Sequence, residues 1–85
     1  MTQAKGKLRH LAISVPDPEK AADFYMSAFG MEKVTSVKAD LADGVYLTDG
    51  TINVALLRYK DDRPMGEGKT KDWFGVHHFG FWVDD

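Results

Sequence analysis

Hydrophobic and polar positions alternate from Lys7 to Val15 (KLRHLAISV), with Leu11, Ile13 and Val15 on one side and Leu8, His10, Ala12 and Ser14 on the other. A period of two residues is the pattern of a β-strand. The second side is mainly small or polar, which suits a cavity wall better than a filled core. The period then lengthens. In PDPEKAADFYMSAFG the residues Ala21, Phe24, Tyr25, Ala28 and Phe29 recur at helical spacing and predict one apolar stripe. Asp17 is a good N-cap, Pro18 fits the first helical position, Glu19 suits the positive end of the dipole, and Gly30 is the expected stop.

Three more strands are predicted after the helix, over residues 31–39, 44–48 (GVYLT) and 51–59 (TINVALLRY). The Asp49-Gly50 pair between the last two is a tight-turn signal. Lys60 to Asp72 (KDDRPMGEGKTKD) is charged, carries Pro64, Gly66 and Gly68, and has no periodicity, so it reads as a linker or mobile loop. A final strand is predicted over 74–83. The fold class is therefore α+β, a βαβββ module followed by one more strand. The expected divisions are residues 1–60 for the module, 61–73 for the charged loop and 74–85 for the opening strand of a second, truncated module.

Composition narrows the function. At 85 residues the chain holds one small domain at most, and its 44% hydrophobic content is that of a globular protein. A formal charge of -2 provides no basic field for nucleic acid. No apolar run is long enough to span a bilayer, and MTQAKGKLRH lacks the apolar core of a secretory signal. The absence of cysteine removes disulfides and thiolate metal sites, and accords with an expected cytoplasmic setting. A metal site would have to use imidazole, carboxylate or water.

An internal repeat supplies the candidate chemistry. When LRHLAISVPD is set above VHHFGFWVDD, His10 falls on His78, Ala12 on Gly80, Ile13 on Phe81, Val15 on Val83 and Asp17 on Asp85. Asp85 thus takes the N-cap position of an expected second helix. His10 has the small neighbours Ala12 and Ser14, and His78 has Gly80, which would leave room for metal, water and substrate. Imidazole suits first-row metals. The competing reading is two half-buried histidines hydrogen-bonded across a sheet. On a regular strand His77 alternates onto the side of Phe79 and Phe81, away from His78, which gives it a structural or surface role. A one-residue shift of register would exchange the two.

With its strand histidine, D-P-E helix start and F-Y-x3-F-G ending, LRHLAISVPDPEKAADFYMSAFGM resembles the vicinal oxygen chelate superfamily, and GVHHFGFWVDD supports the same resemblance. That superfamily includes glyoxalase I, methylmalonyl-CoA epimerase, extradiol dioxygenases and the bleomycin- and fosfomycin-resistance proteins. The resemblance implies two βαβββ modules forming a cup around a divalent ion (Fe, Zn, Ni or Mn), with His10 and His78 as metal ligands. It also implies a small-molecule substrate with adjacent oxygens. In glyoxalase I and the epimerase a carboxylate comes from a V-E-L-L-like stretch on the module's last strand. Here that stretch is VALLRY, and Ala55 stands where the acid would be. The extradiol dioxygenases need only one histidine from each module and a later glutamate, so the departure tilts the reading toward dioxygenase over glyoxalase or lyase.

Tyr46, Asn53, Tyr59 and Trp82 are the candidate pocket-lining residues. No residue is assigned a catalytic role. Three functional readings stand: part of a metal-dependent enzyme, a metal-free drug- or metabolite-binding protein of the bleomycin-resistance type, or a half-domain whose exposed last strand drives homodimerisation. The 85-residue chain alone is expected to have little or no activity.

Overall fold

A computed structural model describes residues 6–83. Its elements are β1 (Lys7–Ser14), α1 (Pro18–Phe29), β2 (Glu32–Lys38), β3 (Ala42–Thr48), β4 (Asn53–Tyr59) and β5 (Gly75–Trp82). The strands form one five-stranded sheet in the order β2-β3-β4-β1-β5. β1 runs parallel to β4 and every other neighbouring pair is antiparallel. The α+β class and the βαβββ order are those expected from the patterning. Among the described residues no helix is long and apolar enough to cross a membrane. The N-cap role expected of Asp85 lies outside the described residues.

The ends of α1 follow their local chemistry. Asp17 has extended backbone (φ -142°) and its carboxylate accepts from the Lys20 N–H at 3.2 Å. Gly30 closes the helix in the left-handed region (φ 68°), where glycine has no Cβ penalty, and its N–H donates to the Met26 carbonyl at 3.0 Å. The buried stripe is rotated from the expected one. Ala21, Ala22, Tyr25 and Met26 meet the sheet, while Phe24 and Phe29 lie exposed. These two phenylalanines pack edge-on against each other at 6.0 Å, and Phe24 also meets Tyr25. Small alanines let the helix approach the sheet closely, which leaves the bulky rings on the flank.

The two faces of the sheet carry separate clusters. On the helix side Ala22, Val45, Leu47, Val54 and Leu56 form the core, with Ile13, Val15 and Met31 packed against them. On the other side Ala12, Ala55, Leu57 and Tyr59 are buried together, with Ala42, Tyr46 and Met65 beside them. The helix packs on β2, β3 and β4 but not on β5. Phe79 and Phe81 consequently stand about 60% exposed.

Leu8 departs from the expected alternation. The β1–β5 register jumps between Leu8 and His10, so Arg9 is an extra residue and Leu8 pairs with Phe81. This β-bulge moves Leu8 off the His10 side.

The segment after β4 is also more structured than a free linker. The Arg58 guanidinium bonds the Lys71 carbonyl and the Asp72 carboxylate, both at 2.7 Å, and lies over the Phe74 ring. The Lys71 N–H donates to Asp62 at 2.7 Å. Arg58 therefore braces the loop.

Gly44 marks a close approach within the sheet. A Cβ there would lie 2.5 Å from Leu57 Cδ2 and 3.0 Å from the Leu56 carbonyl oxygen. The Leu57 methyl can rotate aside, but the backbone oxygen cannot. Gly44→Ala is expected to cost about 1–3 kcal/mol, as overpacking does elsewhere. Urea unfolding of the two proteins measures it, and equal midpoints would refute the close contact.

Candidate functional site

Register brings the predicted histidines together. On β1 and β4, His10 lies beside Asn53 and Ala12 beside Ala55. On β5, Gly80 lies opposite His10 and His78 opposite Ala12. Residues paired across strands share a face of the sheet. His10, His78, Asn53 and Ala55 therefore occupy one side, away from α1. The His10 and His78 rings meet with centroids 5.2 Å apart and planes tilted by 35°.

His77 is not where regular alternation puts it. Ala12 pairs with His78 and the next residue, Ile13, pairs with Val76, so His77 is the extra residue of a second bulge. A bulge breaks the alternation and re-aims a side chain. His77 Nδ1 lies 2.8 Å from His78 Nδ1, and its Nε2 lies 2.7 Å from the Pro64 carbonyl oxygen. The Tyr59 hydroxyl approaches the same His77 Nδ1 at 3.3 Å, and the two rings lie with centroids 4.7 Å apart and planes tilted by 39°. The expectation that His77 turns away from His78 is thus corrected: both imidazoles share the site face.

The electrostatics favour neutral groups. Although His78 is exposed by surface area, partial desolvation by its neighbours, then the nearby His77 and His10, hold its pKa below the usual imidazole value. At neutral pH His78 accordingly keeps a lone pair. Burial raises the Tyr59 pKa, with Tyr46 adding to the effect, so its hydroxyl remains a donor.

The room expected beside His10 is partly filled. Ala12 and Ser14 are fully buried, because Met65 of the charged loop and the side chains of Tyr46 and Tyr59 pack over this part of the sheet. The Ser14 hydroxyl is enclosed and has no hydrogen-bond partner among the described residues. Among the other predicted lining residues, Asn53 is exposed, Tyr46 is half-buried and Trp82 is 56% exposed. A cavity of about 310 Å³ lies between the loop and β5, lined by Pro64, Met65, Lys69, Trp73 and His77 among others. Neither His10 nor His78 borders it, and it meets the histidine cluster only through His77 and the loop residues Pro64 and Met65.

For a metal, the described residues offer the facing His10 and His78 rings, with His77 beside them, but no group of three His, Cys, Asp or Glu side chains arranged to hold an ion. Ala55, side by side with Ala12 and Tyr46, adds a methyl where a carboxylate would be needed. The nitrogen donors suit zinc, iron, nickel or manganese chemically, but a divalent ion would need further ligands. The sequence reading missed His77, Pro64 and Met65 as parts of the site. No residue pattern announces a bulge, although two adjacent histidines in one strand were a visible oddity.

A search of curated proteins finds no match to this sequence. Two solved structures share the fold. A hypothetical protein of Bacillus halodurans superimposes with a TM-score of 0.68 at 18% identity, covering 91% of this chain and 58% of that one. A variant of Streptomyces coelicolor methylmalonyl-CoA epimerase, in complex with 2-nitronate-propionyl-CoA, gives a TM-score of 0.68 at 23% identity, covering 88% and 60%. The chain spans about 58–60% of the length of these structures. The model of the Glyoxalase/Bleomycin resistance protein/Dioxygenase superfamily matches residues 7–85, nearly the whole chain, and the chain belongs to that superfamily.

Proposed function

We propose that this chain is the first part of a small-molecule-binding vicinal oxygen chelate protein whose ligand sits over the His10–His78 face. The observation that carries the reading is the approach of those two rings, 5.2 Å apart, from strands that are distant in sequence. His10 and His78 would supply nitrogen ligands to a divalent ion, with the remaining ligands coming from outside the described residues. A metal bound there would act as a Lewis acid toward two neighbouring oxygens of a substrate. The protein's own part is to bring both imidazoles to one side of the sheet. Ala55 leaves one ligand position bare, which favours a dioxygenase-like donor set over a glyoxalase- or lyase-like one.

A metal-free binding role is the second reading. It is favoured by the methyl of Ala55 and the packing of Tyr46 and Tyr59 on the same face. We also keep homodimerisation in the proposal, since Phe79 and Phe81 lie on the face of β5 that α1 leaves bare.

Titration with zinc, iron(II), nickel and manganese chlorides tests the metal role. The expected result is binding of at least one ion, with the His10 and His78 ring resonances shifting together. Absence of any such shift would favour the metal-free role. Sedimentation over a range of concentrations tests self-association, and a monomer throughout would remove that part of the proposal.

A further inference from the structure

We infer that His77 is a positioning residue that holds His78 as its Nδ1–H tautomer, leaving His78 Nε2 as the atom open to a ligand. The proton count follows from three contacts. The Pro64 carbonyl oxygen only accepts, so the His77 Nε2 that lies 2.7 Å from it carries a hydrogen and donates. A neutral imidazole has one N–H, so His77 Nδ1 is an acceptor. His77 Nδ1 and His78 Nδ1 are 2.8 Å apart, a separation that requires one proton between them, and His78 must supply it. The Tyr59 hydroxyl lies 3.3 Å from the same nitrogen, a contact compatible with that atom being unprotonated. Each histidine thereby has its tautomer assigned by its neighbour.

The bulge makes this arrangement available. It places consecutive histidines side by side instead of on opposite faces, while Tyr59 lies against the His77 ring. Pro64 sits in the charged loop, so the loop reaches the His10–His78 face through one carbonyl and one imidazole. A partner that fixes the tautomer and ring orientation of a ligating histidine raises its basicity and its affinity for a ligand. The tautomer assignment rests on contacts alone. The ligand role of Nε2 rests on the function proposed above.

Ring-nitrogen NMR of the ¹⁵N-histidine-labelled 85-residue protein at mildly alkaline pH separates these parts. His78 is expected to show a protonated Nδ1 and an unprotonated Nε2. In His77→Phe, which keeps an aromatic ring beside Tyr59 but offers no acceptor, this preference should disappear. In His77→Gln, whose amide oxygen can accept, it should partly return. A wild-type His78 protonated at Nε2 would overturn the inference without recourse to any variant. Adding zinc chloride should then perturb His78 Nε2, and His77→Phe should weaken that response by about 10- to 100-fold in zinc concentration. If zinc leaves the Nδ1–H His78 unperturbed, the metal role falls while the tautomer assignment stands.

Discussion

Leu56→Ala is expected to lower the unfolding free energy by about 2–5 kcal/mol, the cost of emptying a filled core position. Leu56 is fully buried in the middle of the helix-side cluster, among Ala22, Val45, Leu47 and Val54. Its strand, β4, is flanked by β3 and β1 and covered by α1, so little can collapse into the vacancy. Domains of this kind have roughly 5–15 kcal/mol in total, and a small one has the less to spare. Much of the Leu56→Ala protein should therefore be unfolded at modest urea concentrations. A loss below about 1 kcal/mol by urea unfolding would mean that Leu56 is not the centre of the core.

Removing either site histidine should have the largest effect on ligand chemistry. His10→Ala or His78→Ala would take away one of the two nitrogen donors that meet at 5.2 Å. The apparent affinity for a divalent ion is expected to fall by more than the roughly 10- to 100-fold that losing an outer partner costs. Stability should change little in the His78 variant, because that side chain is exposed. The double variant should be scarcely worse than either single one, since ligands of one ion act as a unit. Competition against a chromophoric chelator measures all of these. Wild-type affinity in both single variants would show that the histidines do not hold the ion.

Most of the fold was legible because it is written in local chemistry. Asp17, Pro18 and Gly30 mark the helix ends, and alternation marks the strands. The repeat of LRHLAISVPD in VHHFGFWVDD singled out His10 and His78, and the β1–β5 register brings those two rings to one face of the sheet. What escaped was set by tertiary packing. The helix stripe turned toward its alanines because Ala22 fits against Val45 and Leu47 more closely than a phenylalanine could. Leu8 and His77 were misplaced for one shared reason: each lies beside or at a bulge, and an extra residue flips the parity of everything past it. Met65 and Pro64 were hidden in a stretch without periodicity, where nothing indicates which side chain will fold back.

The position of β1 has a consequence for how the chain is made. Of the five described strands, β1 is made before the rest yet ends up inside the sheet, with β4 along one edge and β5 along the other. Its Lys7 finally pairs with Trp82, close to the opposite end of the chain. Until Asn53–Tyr59 and then Gly75–Trp82 have left the ribosome, both edges of β1 stay open, and only the β2–β3 hairpin and α1 can form locally. Such non-local closure is slow and leaves bare strand edges during synthesis. A nascent chain carrying this module is thus expected to depend on chaperone holding until β5 has emerged.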